Sequence, residues 1–364
     1  MDGNTGENEW DLTHGRLMAW LREDDPAALA RLYGRADRAR RENVGDEVHL
    51  RGLIEISNHC RRDCAYCGLR AGNAGLARYR MEADEIAACA EQAASFGYGT
   101  VVLQAGEDPQ FTRDWVSKLV GRIRTGAGVA AALSLGERSR GDLAAWRAAG
   151  AERYLLRFET SNARLYARMH PPAPGGGGRD RLEMLRDLRE LDYEVGSGVL
   201  VGLPGQTYAD LVRDLQLFAA LELDMIGCGP WIAHPDTPLG KREADGGGDP
   251  NPDQVPATAE MACKVIALSR LLCPAANIPA TTALATLNRA SGREDGLRRG
   301  ANILMPNCTP VAYRRLYEIY PGKACLDETA DECRSGMRRR IEGIGRRVGS
   351  GPGGAARTRG RPER

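Results

Sequence analysis

The sequence predicts a (β/α)8 barrel of TIM type, preceded by a helical segment and followed by a disordered tail. Short apolar runs and amphipathic stretches alternate eight times along the chain, the pattern of strands and crossover helices in a closed parallel barrel. The length, 364 residues at 42% hydrophobic content, suffices for one large core. Polar residues also fall at or just beyond the ends of the apolar runs, which in such a barrel is one common rim, the one where function belongs.

Taken in order, residues 1–45 read as a charged helical extension, with Leu29, Leu32 and Tyr33 at helical spacing. The pattern then switches to strands in "LRGLIEIS" (50–57), "TVVLQ" (100–104), "VAAALSL" (129–135), "RYLLRF" (153–158), "VGSGVLVGL" (195–203), "DMIGCG" (224–229), "NIPAT" (277–281) and "NILM" (302–305). Helices are expected over 82–97, 112–126, 140–149, 180–192, 207–221 and 255–272. The proline in "NIPAT" marks a weak strand, because it has no N–H to donate to a ladder. The barrel is expected over 46–325, a helical segment over 326–344, and a Gly/Arg-rich disordered tail over 345–364. Two Gly/Pro-rich loops, 171–180 and 242–254, fall near the polar rim as possible lids.

The net charge of +1 argues against nucleic acid or an acidic membrane as a partner. The acidic, polar start and the lack of any run of about 18 apolar residues read as a cytoplasmic chain with no membrane span. There the ten cysteines are expected to be reduced thiols, some of them metal ligands.

Three of them stand in "CRRDCAYC", directly after the first strand. Cys60, Cys64 and Cys67 read C-x3-C-x2-C, without the close fourth ligand of a structural zinc site or of a fully ligated cluster. Three thiolates can hold three irons of a 4Fe-4S cube and leave the fourth open to a chelating ligand; packing, or zinc with a remote fourth ligand, is the alternative. The rim residues that would surround such a centre are Gln104, Glu107, Asp108, Ser134, Glu137, Arg157, Glu159, His234, Asp236, Thr281, Thr282 and Asn307. Arg153 and Arg157 lie four apart on one strand, so both face the interior or both face the helices. Two cations inside would suit an anionic substrate.

The cysteine spacing with an aromatic before its third member, on the loop after strand one, resembles the radical S-adenosylmethionine (SAM) superfamily. "QAGEDP" (104–109) is similar to the glycine-rich element of that superfamily. Longer stretches, among them "NHCRRDCAYCGLR", "RYLLRFET", "GPWIAHPDTPL" and "ANILMPNCTPVAYRRLYEIYPGKAC", resemble the HydE family of FeFe-hydrogenase maturases over about residues 45–325. Biotin synthase and methylornithine synthase belong to the same group. The resemblance implies a barrel of radical SAM type, one 4Fe-4S cluster on Cys60, Cys64 and Cys67, and SAM held by Tyr66, Gln104, Gly106, Glu107, Glu159, Arg181 and Tyr317. It places Arg153, Arg157, Thr281, Thr282 and Tyr320 around the substrate. That substrate would be a small anionic or organometallic compound, in the maturase case a cysteine-ligated iron carbonyl cyanide complex. An electron donor such as a ferredoxin or flavodoxin, and other hydrogenase maturases, would be partners. The alternatives are hydrogen abstraction from a small molecule, as in methylornithine synthase or biotin synthase, and a non-catalytic iron-sulfur carrier. Biotin synthase would need a second cluster deep in the barrel, for which no cysteine set exists here.

The chain departs from the family pattern in places. Some members bind a second cluster through three cysteines near the C-terminus; here Cys325 and Cys333 remain, and Gly336 stands where the third is expected. That site is expected to be empty or labile, its two cysteines ordinary thiols. Ala105 and Ala132 stand where relatives can carry hydroxyls, so substrate or affinity could differ. Cys89, Cys228, Cys263, Cys273 and Cys308 are expected to be small buried hydrophobes.

Overall fold

The computed structural model describes residues 10–172, 178–246 and 251–355. The first strand, β1 (Glu47–Ser57), is long and buried at every position after its first. It pairs in parallel with β2 (Thr100–Ala105), which continues through β3 (Ala130–Ser134), β4 (Ala151–Leu155) and β5 (Glu194–Ser197) to a short strand at Met225–Ile226. Closure follows through parallel bridges, Met225 to Asn277 and Pro279 to Ile303, and the strand Ile303–Leu304 returns to β1 at His49 and Leu50. All eight expected strand regions therefore join one closed ladder. The seventh is reduced to bridges, as Pro279 dictates.

The expected helices form the outer layer, among them Ala83–Ser95, Arg113–Gly126, Arg181–Glu190, Tyr208–Ala220 and Ala259–Leu272. Several start on a hydroxyl cap: Thr112, Thr207 and Thr258 each accept a backbone N–H of the first turn. The N-terminal helices His14–Arg22 and Pro26–Val44 pack on Ala259–Leu272, burying Leu17, Leu21, Leu32 and Ala36. The five cysteines expected to be buried are buried.

Side chains alternate along each strand, so the barrel interior is layered. Leu53, Val102 and Ala132, with Met305 beside them, form an apolar middle layer. Below it lies a polar floor. Arg153 donates to Glu194 at 2.8 Å and to the Thr100 hydroxyl at 3.1 Å, and Arg51 donates to the Gly353 carbonyl at 3.0 Å.

That last contact corrects one expectation. The segment 345–355, read as part of a disordered tail, is placed and closes the floor. Arg347 and Val348 pair with Glu47 and Val48 of β1. The Pro352 carbonyl accepts from the Thr100 hydroxyl at 2.7 Å, Gly353 accepts from Asn277 Nδ2 at 3.0 Å, and the Ala355 N–H donates to Glu194 at 3.2 Å. Lack of apolar residues was the basis for expecting disorder, but this segment is held by backbone groups. Glycines on both sides let it approach: a Cβ at Gly99, just before β2, would lie 2.1 Å from the Gly351 carbonyl, and one at Gly353 would lie 2.6 Å from the His49 ring. The rest of the expected tail, 356–364, lies outside the described residues, as do 173–177 and 247–250 at the centres of the two candidate lids.

Removing the tail strands buried donors and acceptors at a cost of about 1–3 kcal/mol each. A chain ending at residue 345 should melt on the order of 5–10 °C lower. Scanning fluorimetry checks this, and Gly99→Ala should shift the melt in the same direction.

Candidate active site

The cysteine loop leaves β1 at Ser57 and is closed at its neck by Asn58. The Asn58 amide accepts from Tyr79 N at 2.7 Å and donates to the carbonyls of Ala77 and Leu316, each at 2.8 Å. Inside the loop, Arg78 donates to the carbonyls of Asn58, Leu69 and Arg70 at 2.6–2.8 Å. These two residues shape the loop that carries the thiols.

Two glycines press the loop into place from either side. Gly106, in the turn after β2, sits where a Cβ would lie 2.2 Å from the His59 carbonyl and 2.8 Å from Cys60 Cβ. Beside it, the Glu107 N–H donates to Cys60 Sγ at 3.3 Å and the Glu107 carbonyl accepts from Arg61 N at 3.0 Å. On the other side Gly68 donates to the Ile319 carbonyl at 3.1 Å. A Cβ there would strike the Glu318 carbonyl and the ring of His234. Cys64 is buried, and Cys60 and Cys67 are half-buried. Burial pushes all three thiols up, Cys64 to about 11, so they are protonated at neutral pH and a metal would have to displace their protons.

The loop roofs a cavity of about 350 Å³ in the upper barrel, within the range of small-molecule sites. Of the residues expected around SAM, Tyr66, Gln104, Glu159, Arg181 and Tyr317 line it; Gly106 and Glu107 do not. The Glu107 carboxylate is held by Arg61 at 2.6 Å and by the Glu137 N–H at 2.9 Å, which makes it a brace between neighbouring loops. Of the residues expected around the substrate, Arg157, Thr281, Thr282 and Tyr320 line the cavity. Arg153 does not: it faces inward as its spacing from Arg157 implied, but a full layer lower, locked to Glu194 in the floor. Ala105 and Ala132 both line the wall.

The charged groups are fixed before any ligand arrives. Glu159 has φ = 67°, a left-handed conformation that non-glycine residues seldom adopt and that marks functional positions. Its Oε1 accepts from Arg157 Nε at 3.0 Å and lies 3.5 Å from the Tyr66 hydroxyl. Its Oε2 is buried without a partner. Arg181 is held by Glu137 at 2.9 Å and by the Arg157 carbonyl at 2.8 Å. Gln104 donates to the Tyr317 hydroxyl at 3.3 Å, and Lys323 pairs with Glu55 across the cavity wall.

His170 was not singled out in the sequence. Burial and the nearby Arg181 push it down to about 2, so it is neutral. Its Nδ1 faces the Tyr166 carbonyl at 3.1 Å and must carry the proton, which leaves Nε2 to accept from the Tyr66 hydroxyl at 3.0 Å. A lone histidine beyond a helix end gives no signal of this in the sequence. The same holds for Arg78 and Asn58, whose roles lie entirely in backbone contacts. Gly106→Ala should displace the cysteine loop while leaving the barrel folded; iron bound after anaerobic reconstitution should fall well below wild type, with unchanged far-ultraviolet circular dichroism.

The chain matches the model of the Radical SAM superfamily over residues 54–218. It is 47% identical over 326 residues to the [FeFe] hydrogenase maturase subunit HydE of Thermotoga maritima, covering 90% of this chain and 89% of that protein. It is 26% identical to the 3-methylornithine synthase of Methanosarcina acetivorans over 81% of this chain and 79% of that one. Among solved structures, methylornithine synthase (PylB) superposes with a TM-score of 0.76 at 24% identity, over 93% of this chain and 94% of that chain. HydG from Carboxydothermus hydrogenoformans superposes with 0.71 at 17% identity, over 91% and 74%; these two likenesses concern the fold. The expected resemblance thus stands at the level of whole-chain identity, and the superfamily implies a 4Fe-4S cluster and SAM. The chain belongs to the radical SAM superfamily and, within it, is an enzyme of the family of the [FeFe] hydrogenase maturase subunit HydE.

Proposed function

We propose that the chain holds one 4Fe-4S cluster on Cys60, Cys64 and Cys67, and that it acts in assembling the active-site cluster of FeFe-hydrogenase on a small anionic organometallic substrate. The residues present fit the cofactors. Glu159 lines the cavity with Cys67 and carries one carboxylate oxygen, Oε2, that is buried without a partner, and this is the observation that carries the reading. A buried acceptor without a donor costs about 1–3 kcal/mol, and the ribose hydroxyls or amine of SAM supply donors of the right kind. When bound, the cluster and SAM together supply a 5′-deoxyadenosyl radical.

Around them each side chain has a distinct task. Tyr66, fixed by His170, stands beside the last cluster ligand and keeps water from that side. Arg181, held by Glu137, offers a planar fork to a carboxylate. Gln104 and Tyr317 present amide and hydroxyl groups on the opposite wall. Four cationic side chains, Arg51, Arg157, Arg181 and Lys323, line the cavity against two carboxylates, Glu55 and Glu159. That excess suits an anionic substrate, here a cysteine-ligated iron carbonyl cyanide complex bound near Arg157, Thr281, Thr282 and Tyr320.

An external one-electron donor of ferredoxin or flavodoxin type and partner maturases complete the proposal. Among the described residues no helix is long and apolar enough to cross a membrane, in keeping with a cytoplasmic reaction.

The test is anaerobic reconstitution, reduction with dithionite and chromatographic assay of 5′-deoxyadenosine. Wild type should bind about four irons and form the product, whereas Cys64→Ala should form none. Glu159→Gln should keep its iron but need about ten-fold more SAM for half-maximal rate, the loss of one charge-assisted contact. Product from Cys64→Ala, or an unaltered SAM requirement in Glu159→Gln, contradicts the assignment.

A further inference from the structure

Away from the cavity, the turn after the last barrel strand carries a second set of ligands. Cys325 Sγ, Cys333 Sγ and a carboxylate oxygen of Glu328 all lie within 4.8 Å of one another, the one group of three metal-ligating side chains to do so among the described residues. The three cysteines of the radical SAM loop do not form such a group. That contrast is the physical point: ligands of a four-iron cube stand apart around it, whereas ligands of a single ion converge.

The convergence is built by the surrounding structure. Cys325 has φ = 67°, a conformation that persists only where neighbours enforce it. The enforcing residue is Arg314, fully buried, which donates to the carbonyls of Cys325 and Glu328 at the two ends of the turn and to the Asn307 carbonyl at 2.9 Å. The helix Ala330–Gly343 starts immediately afterwards on its Thr329 cap, with Cys333 in its first turns. The Asn307 N–H faces Cys333 Sγ, and Arg293 Nη2 lies 3.1 Å from Cys325 Sγ. Gly336 is one helical turn beyond Cys333, and nothing lies within 4 Å of where its Cβ would be. An open groove of about 840 Å³ leads to the ligands there.

From this arrangement we propose that Cys325, Glu328 and Cys333 bind a single thiophilic divalent cation, zinc by preference, which ties the C-terminal helix to the end of the barrel. Two thiolates and a carboxylate suit zinc better than the hard cations. Their three negative charges are balanced by the ion together with Arg293. Water completes the tetrahedron in the open space beside Gly336. The missing third cysteine, which made this region read as an incomplete cluster site, is replaced as a ligand by Glu328 from the turn itself.

The test uses reconstituted enzyme with its catalytic cluster loaded. It is equilibrated with zinc sulfate and desalted, and zinc and iron are counted by mass spectrometry. Wild type should retain one zinc per chain with unchanged iron, and zinc X-ray absorption should show two sulfur neighbours at about 2.3 Å. Cys333→Ser should retain none while still cleaving SAM at the wild-type rate. Glu328→Ala changes an exposed side chain that the fold does not need, and should lose the zinc on desalting. Zinc retained equally by both variants, a first shell without sulfur, or extra iron filling the site as a cluster would each overturn the proposal.

Discussion

The contact on which the upper barrel depends is the approach of Gly106 to the cysteine loop. There is no room for a side chain between the turn after β2 and the His59 carbonyl. That closeness lets the Glu107 backbone grip both Cys60 and Arg61. The thiols are thereby fixed over the barrel mouth by main-chain geometry, and Leu53, Val102 and Ala132 beneath them form an apolar band in the wall of a cavity that reaches down to Arg51. A loop held by flexible side chains alone could not keep three thiols in register with a ligand at the ångström scale that radical chemistry requires.

Charge is the second organising constraint. A barrel interior of low dielectric tolerates ionised groups only when they are paired. Arg153 is neutralised by Glu194, Lys323 by Glu55, Arg181 by Glu137 and Arg157 by Glu159. Each pair fixes the orientation of its members, so the cavity meets its ligands already organised. Within the Arg157 pair, Glu159 Oε2 stays buried without a partner at the wall of the space that the cofactors are proposed to share, and its backbone is in the left-handed region.

Much of this was legible in the sequence for definite reasons. Alternating apolar runs marked the strands because a parallel barrel buries both faces of its sheet. The cysteine triplet pointed to the superfamily that the whole-chain identity shows, because its spacing is unusual. Arg153 was placed too high because parity tells which way a strand residue faces and not how deep it lies. Glu107 was read as a ligand contact because its sequence neighbours are; only the fold shows both of its oxygens already engaged. The floor segment 345–355 was misread because composition reports side chains, while its attachments are carbonyls and N–H groups. Glu328 was overlooked because its approach to Cys325 and Cys333 depends on a turn that Arg314 fixes through the carbonyls of Cys325 and Glu328, contacts that leave no mark in the side-chain pattern.

The central claim is that the cube on Cys60, Cys64 and Cys67 keeps one iron open to SAM. Electron paramagnetic resonance of the dithionite-reduced, reconstituted enzyme, recorded with and without SAM, tests it most directly. Direct chelation predicts a changed g-tensor on adding SAM, with added broadening when the SAM carboxylate carries oxygen-17. Identical spectra under all conditions would contradict the claim and leave a cluster that the chain merely carries.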